Sequence, residues 1–277
     1  MTKKSKNIST NGAGRIEKCF KNLKDSGEKA LITFVTAGDP SLKKTKEIIF
    51  EMERAGADLI ELGIPFSDPM ADGPTIQASS ERALKKGATL AGVLSLVTEV
   101  RRTSEIPIVL FGYYNPVFVY GPKRFATDAK KAGVDGVLIV DLPPEECAEL
   151  HGELKGNGLD LIFLLTPTSD ARRMKLVAER ASGFVYYVSL TGVTGARKKT
   201  AAKIGEAVKS VRKYTRLPVG VGFGLSTEEQ VRGVCRFADG AVVGSAIIDQ
   251  IAKNSKSKDM PKKVGSFVRR LKKGTRV

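Results

Sequence analysis

Three carboxylates lie close together in the chain, at the end of an apolar run and in the loop that follows it. Glu61 falls within the run LIELG, and Asp68 and Asp72 follow in a loop bounded by glycine and proline. This arrangement is typical of α/β barrels, which present acid/base groups at strand ends. Because Glu61 is surrounded by apolar residues, desolvation would raise its pKa and let it donate a proton near neutral pH. In the alternative, Glu61 only closes a buried strand and the aspartates only shape turns; the density of special residues favours the catalytic interpretation.

A second group of candidates consists of three glycine-containing segments, SLTGVTGAR (189–197), GFGLSTEEQ (222–230) and VGSAIIDQ (243–250). Glycine-rich turns and helix N-termini bind anions, because backbone N–H groups can approach the ligand closely and the helix dipole favours negative charge. The predicted phosphate contacts are Gly195, Gly224, Gly244 and Ser245. The alternative, that these glycines only permit tight turns, stays open. The first segment continues into small, polar and basic sequence, which predicts a lid that closes over a bound anion.

The elements that must position these groups follow from the apolar pattern. Eight nearly continuous apolar runs predict parallel strands buried on both faces, at 31–38, 57–63, 106–112, 134–141, 159–165, 183–189, 217–224 and 239–245. Amphipathic helical patterns separate the strands. The sequence therefore predicts an α/β fold, a (β/α)₈ TIM barrel with an extra N-terminal helix over residues 14–27 that covers the barrel bottom. A basic amphipathic helix is predicted over 260–273.

Composition limits the remaining possibilities. We predict that residues 1–277 form a single barrel domain with basic extensions at 1–13 and 253–277. The formal charge is +16, of which residues 1–29 carry +5 and residues 253–277 carry +9, so the body is nearly neutral. Without interleaved aromatic residues, these basic ends are interpreted as solvated tails, and nucleic-acid binding is not predicted as the main function. No run has the roughly 18 apolar residues of a membrane span. Three scattered cysteines and one histidine predict a cytoplasmic protein without a metal site.

The segment ELGIPFSDPMADGPTIQ (61–77) closely resembles the characteristic segment of the tryptophan synthase α subunit family. FGYYNPVF (111–118) and the motifs GVTGA, GFGLS and GSAI within the glycine segments also resemble that family. The resemblance extends from about residue 30 to about residue 248. It implies a barrel lyase that cleaves indole-3-glycerol phosphate to indole and glyceraldehyde 3-phosphate by a retro-aldol reaction.

The resemblance also implies roles for particular residues. Glu61 would be the general acid/base, and Asp72 would stay ionised and accept the indole N–H. Tyr186 and Thr194 match family residues near the reacting side chain and in the lid, respectively. We expect Phe34, Ile76 and Phe223 to form an apolar slot for the indole ring, although each could equally be barrel core.

A partner is implied as well, because the family's α subunit passes indole to a pyridoxal-phosphate β subunit in an α2β2 tetramer. Pro65, Asp68, Asn115 and Asp141 match positions on loops that face that partner. The chain itself would need no cofactor, since pyridoxal phosphate would belong to the β subunit. Two alternatives stay open: a free-standing lyase or another sugar-phosphate barrel enzyme, and a non-catalytic phosphate-binding barrel.

Overall fold

The fold is a closed barrel of parallel strands surrounded by helices. The computed structural model describes residues 13–188, 197–222 and 224–277, and only the backbone of residues 197–201. The strands are β1 (Ala30–Thr36), β2 (Leu59–Gly63), β3 (Ile108–Gly112), β4 (Gly136–Ile139), β5 (Asp160–Leu165), β6 (Val185–Val188), β7 (Val219–Gly222) and β8 (Gly240–Val243). Seven of them lie within their predicted runs, and β1 begins one residue before its run. The predicted (β/α)₈ architecture is therefore confirmed.

The strands pair in chain order, and β1 closes the barrel by pairing with both β2 and β8. Phe34 of β1 lies opposite Glu61 of β2, which in turn lies opposite Val109 of β3. Because side chains alternate between the two faces of a strand, partners in register share a face. Phe34, Glu61 and Val109 therefore all belong to the face that lines the barrel interior.

Helices form the outer layer, where their apolar faces cover the sheet. They are α1 (Arg15–Asp25), α2 (Leu42–Arg54), α3 (Pro74–Lys85), α4 (Leu90–Arg101), α5 (Tyr114–Tyr120), α6 (Pro122–Ala132), α7 (Ala148–Gly156), α8 (Ala171–Arg180), α9 (Arg197–Val211), α10 (Glu228–Cys235), α11 (Ser245–Lys253) and α12 (Met260–Lys272). A short 3₁₀ turn, Lys273–Thr275, follows α12. In the part of the chain that the structure describes, no helix is long and apolar enough to cross a membrane.

The predicted N-terminal helix is present as α1, and it closes the end of the barrel where the strands begin. Ile16 and Phe20 are buried among the interior side chains of the barrel, and the Phe20 ring lies 5.7 Å from that of Phe184, just before β6. Because these apolar side chains fill that end, the other end, where the strands terminate, is left for chemistry.

The basic amphipathic helix predicted over 260–273 is present as α12, and over this helix the interpretation of the C-terminal extension as a solvated tail is wrong. Helix α12 packs against α2, and Val264, Val268 and Leu271 are buried. Its basic residues occupy the outward face, except Lys272, whose ammonium is paired with Asp58 at 2.8 Å. The segment is basic because the outer face of this helix is basic, while its inner face belongs to the core.

Candidate active site at the mouth of the barrel

Glu61 is the central residue of β2 and points into the barrel. Its side chain is only 1% exposed, and among the described residues its Oε1 has no hydrogen-bond partner. Burial without compensating contacts penalises the charged form and raises the pKa of Glu61 to about 8. At neutral pH the carboxyl group is therefore protonated and can act as an acid.

Aromatic side chains surround Glu61 on the inner face of the barrel. Phe34 lies opposite it in register, and the Phe34 and Phe111 rings meet edge to face at 5.3 Å. Tyr186 of β6 also points inward, close enough for the Glu61 charge to raise its pKa further, beyond the effect of burial. A Cβ at Gly222 would lie 2.8 Å from the Tyr186 hydroxyl, so glycine at this position makes room for the ring. The site thus has planar apolar walls beside a neutral acid.

Asp72 lies in the loop between β2 and α3 and is half-buried. Desolvation raises its pKa to about 6, while a hydrogen bond from the Tyr113 hydroxyl acts in the opposite direction. The same hydroxyl accepts the Ala71 N–H at 3.0 Å. Tyr113 itself is 3% exposed, and its ring lies 5.3 Å from that of Phe66 in the same loop. The loop is therefore fixed at Asp72 by a buried tyrosine.

Helix α3 begins directly after this loop and is tied to the barrel. The Thr36 hydroxyl of β1 lies 2.6 Å from that of Ser79, which donates to the Ile76 carbonyl at 2.7 Å. Ile76 is partly buried and packs against the main hydrophobic core. These contacts fix the start of α3, and with it Asp72, relative to the strand next to Glu61.

The described phosphate candidates precede or begin two helices: Gly224 lies before α10, and Gly244 and Ser245 lie at the start of α11. Helix α10, which follows β7, is closed by its own capping box, formed by Thr227 and Gln230. Helix α11, which follows β8, begins at Ser245 with Gly244 at the N-cap, and no side chain caps it there. Its first N–H groups are therefore available to an anion at the carboxyl end of β8. Gly224 is exposed, has φ +70°, a conformation that favours glycine, and has open space where a Cβ would lie.

The four partner-interface candidates differ in exposure. Asp68 and Asn115 are exposed, and Asp68 accepts a hydrogen bond from Ser67 at 2.5 Å. Asp141 is exposed and accepts the Tyr114 N–H at 2.8 Å, so it also caps the start of α5. Pro65 is buried within the chain.

Three predicted site residues, Thr194, Gly195 and Phe223, lie outside the described residues, as do residues 191–196, with which the predicted lid begins. The arrangement also includes two residues that sequence analysis missed. Phe111 and Tyr113 both lie in the quoted segment FGYYNPVF, which could have drawn attention to them. Their contacts, however, depend on how the loops after β2 and β3 approach one another.

The described geometry places a neutral acid and a nearby carboxylate in different environments at one end of the barrel. Glu61 has a pKa of about 8 and Asp72 a pKa of about 6, so near pH 7 one is protonated and the other is ionised. An acid and a base held apart in this way can move a proton to a substrate and stabilise positive charge on it.

Comparison with known proteins gives a consistent result. The family model described as "Tryptophan synthase alpha chain" matches residues 20–276. The chain is 58% identical to the tryptophan synthase alpha chain of Citrifermentans bemidjiense over 260 residues, which is 94% of this chain and 97% of the relative. It is 49% identical to that of a Thermoanaerobacter species over 258 residues, 93% of this chain and 98% of the relative.

Solved structures agree with these sequence matches. Tryptophan synthase subunit alpha from Legionella pneumophila superposes with a TM-score of 0.89 at 38% identity, covering 95% of this chain and 99% of that one. A chain of the tryptophan synthase complex from Pyrococcus furiosus gives a TM-score of 0.80 at 38% identity, covering 88% of this chain and 98% of that one.

Proposed function

The chain belongs to the family of tryptophan synthase α chains and is thus a carbon–carbon lyase that cleaves indole-3-glycerol phosphate, and we propose that Glu61 and Asp72 carry out this reaction. The observation that carries the proposal is the buried carboxyl group of Glu61, whose Oε1 has no hydrogen-bond partner in the part of the chain that the structure describes. A carboxyl group held neutral near pH 7 can give a proton to a weakly basic carbon, which an ionised carboxylate cannot do.

In the proposed mechanism Glu61 both donates and accepts a proton. The neutral acid protonates C3 of the indole ring, which converts the ring to its indolenine form. The resulting carboxylate then takes the proton from the glycerol hydroxyl next to the breaking bond. The carbon–carbon bond breaks, its electron pair returns to the ring, and indole, glyceraldehyde 3-phosphate and protonated Glu61 result. Because this cycle needs only proton transfer, we expect no cofactor in this chain.

Asp72 has a separate task in this proposal. As an ionised carboxylate it accepts the indole N–H and so stabilises the positive charge that develops on the ring nitrogen during protonation. The aromatic walls formed by Phe34, Phe111 and Tyr186 would hold the planar ring. The uncapped N-terminus of α11, at Gly244 and Ser245, would hold the substrate phosphate.

The partner of this chain is a tryptophan synthase β subunit, as in the tryptophan synthase complex to which the Pyrococcus chain belongs. We propose that it docks on the mouth of the barrel, through the loops that carry Asp68 and Asp141 and through α5, which carries Asn115. Exposed apolar side chains support this placement: Met70, in the loop after β2, is 85% exposed, and Phe118 of α5 is 61% exposed. We further propose an α2β2 tetramer, with pyridoxal phosphate bound by the β subunit.

Because the three cysteines are free thiols, we place the protein in the cytoplasm.

The experiment that tests the proposal is indole release from indole-3-glycerol phosphate by the purified chain, with and without a β subunit. We expect weak activity alone and a large rise with the β subunit; strong activity that the β subunit leaves unchanged would indicate a free-standing lyase instead. Glu61→Gln and Asp72→Asn should each lower kcat by about 10²-fold or more, since general acid–base groups contribute about 10² to 10⁴.

Asp68→Asn is the matched control, because it removes an exposed carboxylate from the same loop. Without the β subunit, Asp68→Asn should retain wild-type turnover. Wild-type turnover in folded Glu61→Gln or Asp72→Asn protein would refute the assignment of that residue.

A further inference from the structure

A second cavity opens at the end of the barrel opposite Glu61, where the strands begin. It has a volume of about 720 Å³ and lies between α1 and the segment that joins α9 to β7. This volume is within the range of about 300–1,000 Å³ that is usual for small-molecule sites. Since α1 closes this end of the barrel, the cavity is separate from the catalytic mouth.

Part of the cavity lining is apolar and partly aromatic, and we call this part the floor. It is formed by Phe20 and Leu23 of α1 and by Tyr214, Leu217 and Pro218 of the α9–β7 segment. Tyr214 is 39% exposed, so its ring is accessible to a ligand. Any nucleobase gains both apolar contact and stacking on such a surface, because every base has a flat aromatic face.

The rest of the cavity lining is strongly basic, and we call this part the rim. Five lysine and arginine side chains line it against two carboxylates, Glu28 and Asp239. Both carboxylates already have cationic partners: Asp239 pairs with Arg212 at 2.9 Å, and Glu28 pairs with Arg276 at 3.2 Å. Neither is therefore free to neutralise the rest of the rim.

Three cations remain uncompensated. Lys24, Lys213 and Arg216 are exposed, and no carboxylate among the described residues pairs with them. Positive charge concentrated around a concave, apolar site raises the local concentration of anions. The planar arginine and the two flexible lysines suit the oxygens of a phosphate chain, which accept charge-assisted hydrogen bonds.

We propose that this cavity binds a nucleoside phosphate, with the base on the floor formed by Tyr214 and Leu217 and the phosphates against Lys24, Lys213 and Arg216. Neither the base alone nor the phosphates alone would bind tightly. The floor carries no charge to hold phosphates, and the charged groups of the rim offer no apolar surface to hold the base. The site is independent of the reaction at the mouth, and it gives the protein a place to bind a ligand that is neither substrate nor product.

Isothermal titration calorimetry of the full chain with ADP at 0.15 M salt tests this proposal, because at that ionic strength attraction between exposed charges more than about 8 Å apart is largely screened and direct contacts dominate. A saturating concentration of glycerol 3-phosphate keeps the mouth occupied. We expect binding of one ADP per chain that glycerol 3-phosphate does not displace. Adenosine alone and pyrophosphate alone should each bind at least about tenfold more weakly. Absence of saturable binding, or displacement of ADP by glycerol 3-phosphate, would overturn the proposal.

Variants locate the site. Lys213→Glu/Arg216→Glu should weaken ADP binding by about tenfold or more, and Lys24→Glu on α1 should do so independently. Lys256→Glu/Lys258→Glu is the matched control, since it makes the same change in net charge at exposed positions between α11 and α12.

Tyr214→Ala tests the contact with the base: it should weaken ADP binding but leave pyrophosphate binding unchanged. All variants should keep wild-type indole release, which shows that the mouth is folded. Equal loss of ADP binding in the control would mean that only net charge matters, and would refute the cavity as the site.

Discussion

At the scale of single residues, the site depends on two carboxyl groups whose surroundings separate their pKa values. Glu61 is shielded from water on β2, whereas Asp72 lies in a loop where Tyr113 donates a hydrogen bond to it. Both pKa values are raised by burial, to about 8 and about 6, respectively. The separation allows Glu61 to donate a proton at a pH at which Asp72 is ionised and can accept a hydrogen bond from the indole N–H.

This separation predicts a bell-shaped pH dependence of kcat/KM with a maximum near pH 7. Activity should fall as pH rises through about 8, because Glu61 loses the proton it must donate. It should also fall as pH drops through about 6, because Asp72 becomes protonated and can no longer accept the indole N–H. The measurement is the steady-state rate of indole formation from pH 5 to pH 10.

The substrate phosphate also titrates near pH 6, so the acid limb needs its own control. In Asp72→Asn the residual activity should lose that limb and keep the alkaline one. If the acid limb persists unchanged in this variant, it belongs to the substrate phosphate, and the pH profile no longer supports Asp72 as the ionised acceptor of the indole N–H.

Much of the residue-scale picture could be predicted from the sequence. Glu61 was recognisable because a carboxylate within an apolar strand is unusual, and because its strand leads to the end of the barrel where catalytic groups lie. Tyr113 could not be found in this way. Its role depends on a hydroxyl from the loop after β3 reaching Ala71 and Asp72 in the loop after β2, a contact that no local pattern encodes.

Tyr113→Phe should test this contact, since the ring and its packing on Phe66 remain while the hydroxyl is removed. Without the hydroxyl, the pKa of Asp72 should rise, because the hydrogen bond that lowers it is lost. We expect kcat to fall by about tenfold, which is the effect of a loss of about 1.4 kcal/mol, and the acid limb of the pH profile to move to higher pH. Tyr114→Phe, the neighbouring substitution, should change neither quantity. A loss of kcat with an unmoved acid limb would contradict a role through Asp72.

At the scale of elements, strands were easier to predict than helices. Every predicted strand is present, because strands buried on both faces have nearly continuous apolar sequence. Helix α5 has the sequence YNPVFVY, whose β-branched and aromatic residues are typical of strands. Its first N–H is satisfied by Asp141, which lies in the loop after β4, so the helix depends on a contact distant in sequence.

Helix α11 has a functional end that local sequence did suggest. Gly244 at its N-cap leaves the first N–H groups without a side-chain acceptor, whereas α10 fills the same positions with its own capping box. The motif GSAI therefore indicates an anion site, but only the comparison of the two helix starts shows which of them is open.

Gly244→Asp should place a negatively charged side chain at the N-cap of α11, where it can accept hydrogen bonds from the free N–H groups. A Cβ at this position would lie 3.5 Å from Phe34, an ordinary contact, so the variant should fold with a change in unfolding free energy below about 1 kcal/mol. We expect KM for indole-3-glycerol phosphate to rise by at least about tenfold, because the carboxylate occupies the N–H groups and repels the phosphate. Gly244→Ala, which adds a Cβ without charge, should raise KM much less. Equal KM values for the two variants would argue against a phosphate at α11.

At the scale of the whole molecule, the two ends of the barrel are built differently. The mouth carries the carboxylates and an open helix N-terminus, while the opposite end is closed by α1 and bordered by the C-terminal segment. The Thr275 carbonyl accepts the Lys29 N–H at 3.2 Å just before β1. The last residues of the chain thus complete the end at which the barrel begins, which charge counting alone did not reveal.

The same end holds an ion pair that joins the first strands to the last helix. The Lys272 ammonium contacts both Asp58 oxygens, at 3.0 and 2.8 Å, and Asp58 also accepts the Leu31 N–H at 2.7 Å. Burial raises the pKa of Asp58, and the Lys272 charge opposes that rise. Lys272 therefore keeps a poorly solvated carboxylate in its charged form.

Lys272→Met should lower the free energy of unfolding by about 2–4 kcal/mol at pH 8, because it leaves the Asp58 charge buried without a partner. The pKa of Asp58 in the folded variant should then lie further above its unfolded value, so the variant gains stability as pH falls and Asp58 becomes protonated. Urea unfolding at pH 8 and pH 5 should show a penalty that shrinks at the lower pH. Asp58→Asn/Lys272→Met should be less destabilised than the sum of the single variants, since the uncompensated charge is absent. A penalty that is the same at both pH values and additive in the double variant would mean that Lys272 contributes only through the packing of its aliphatic stem.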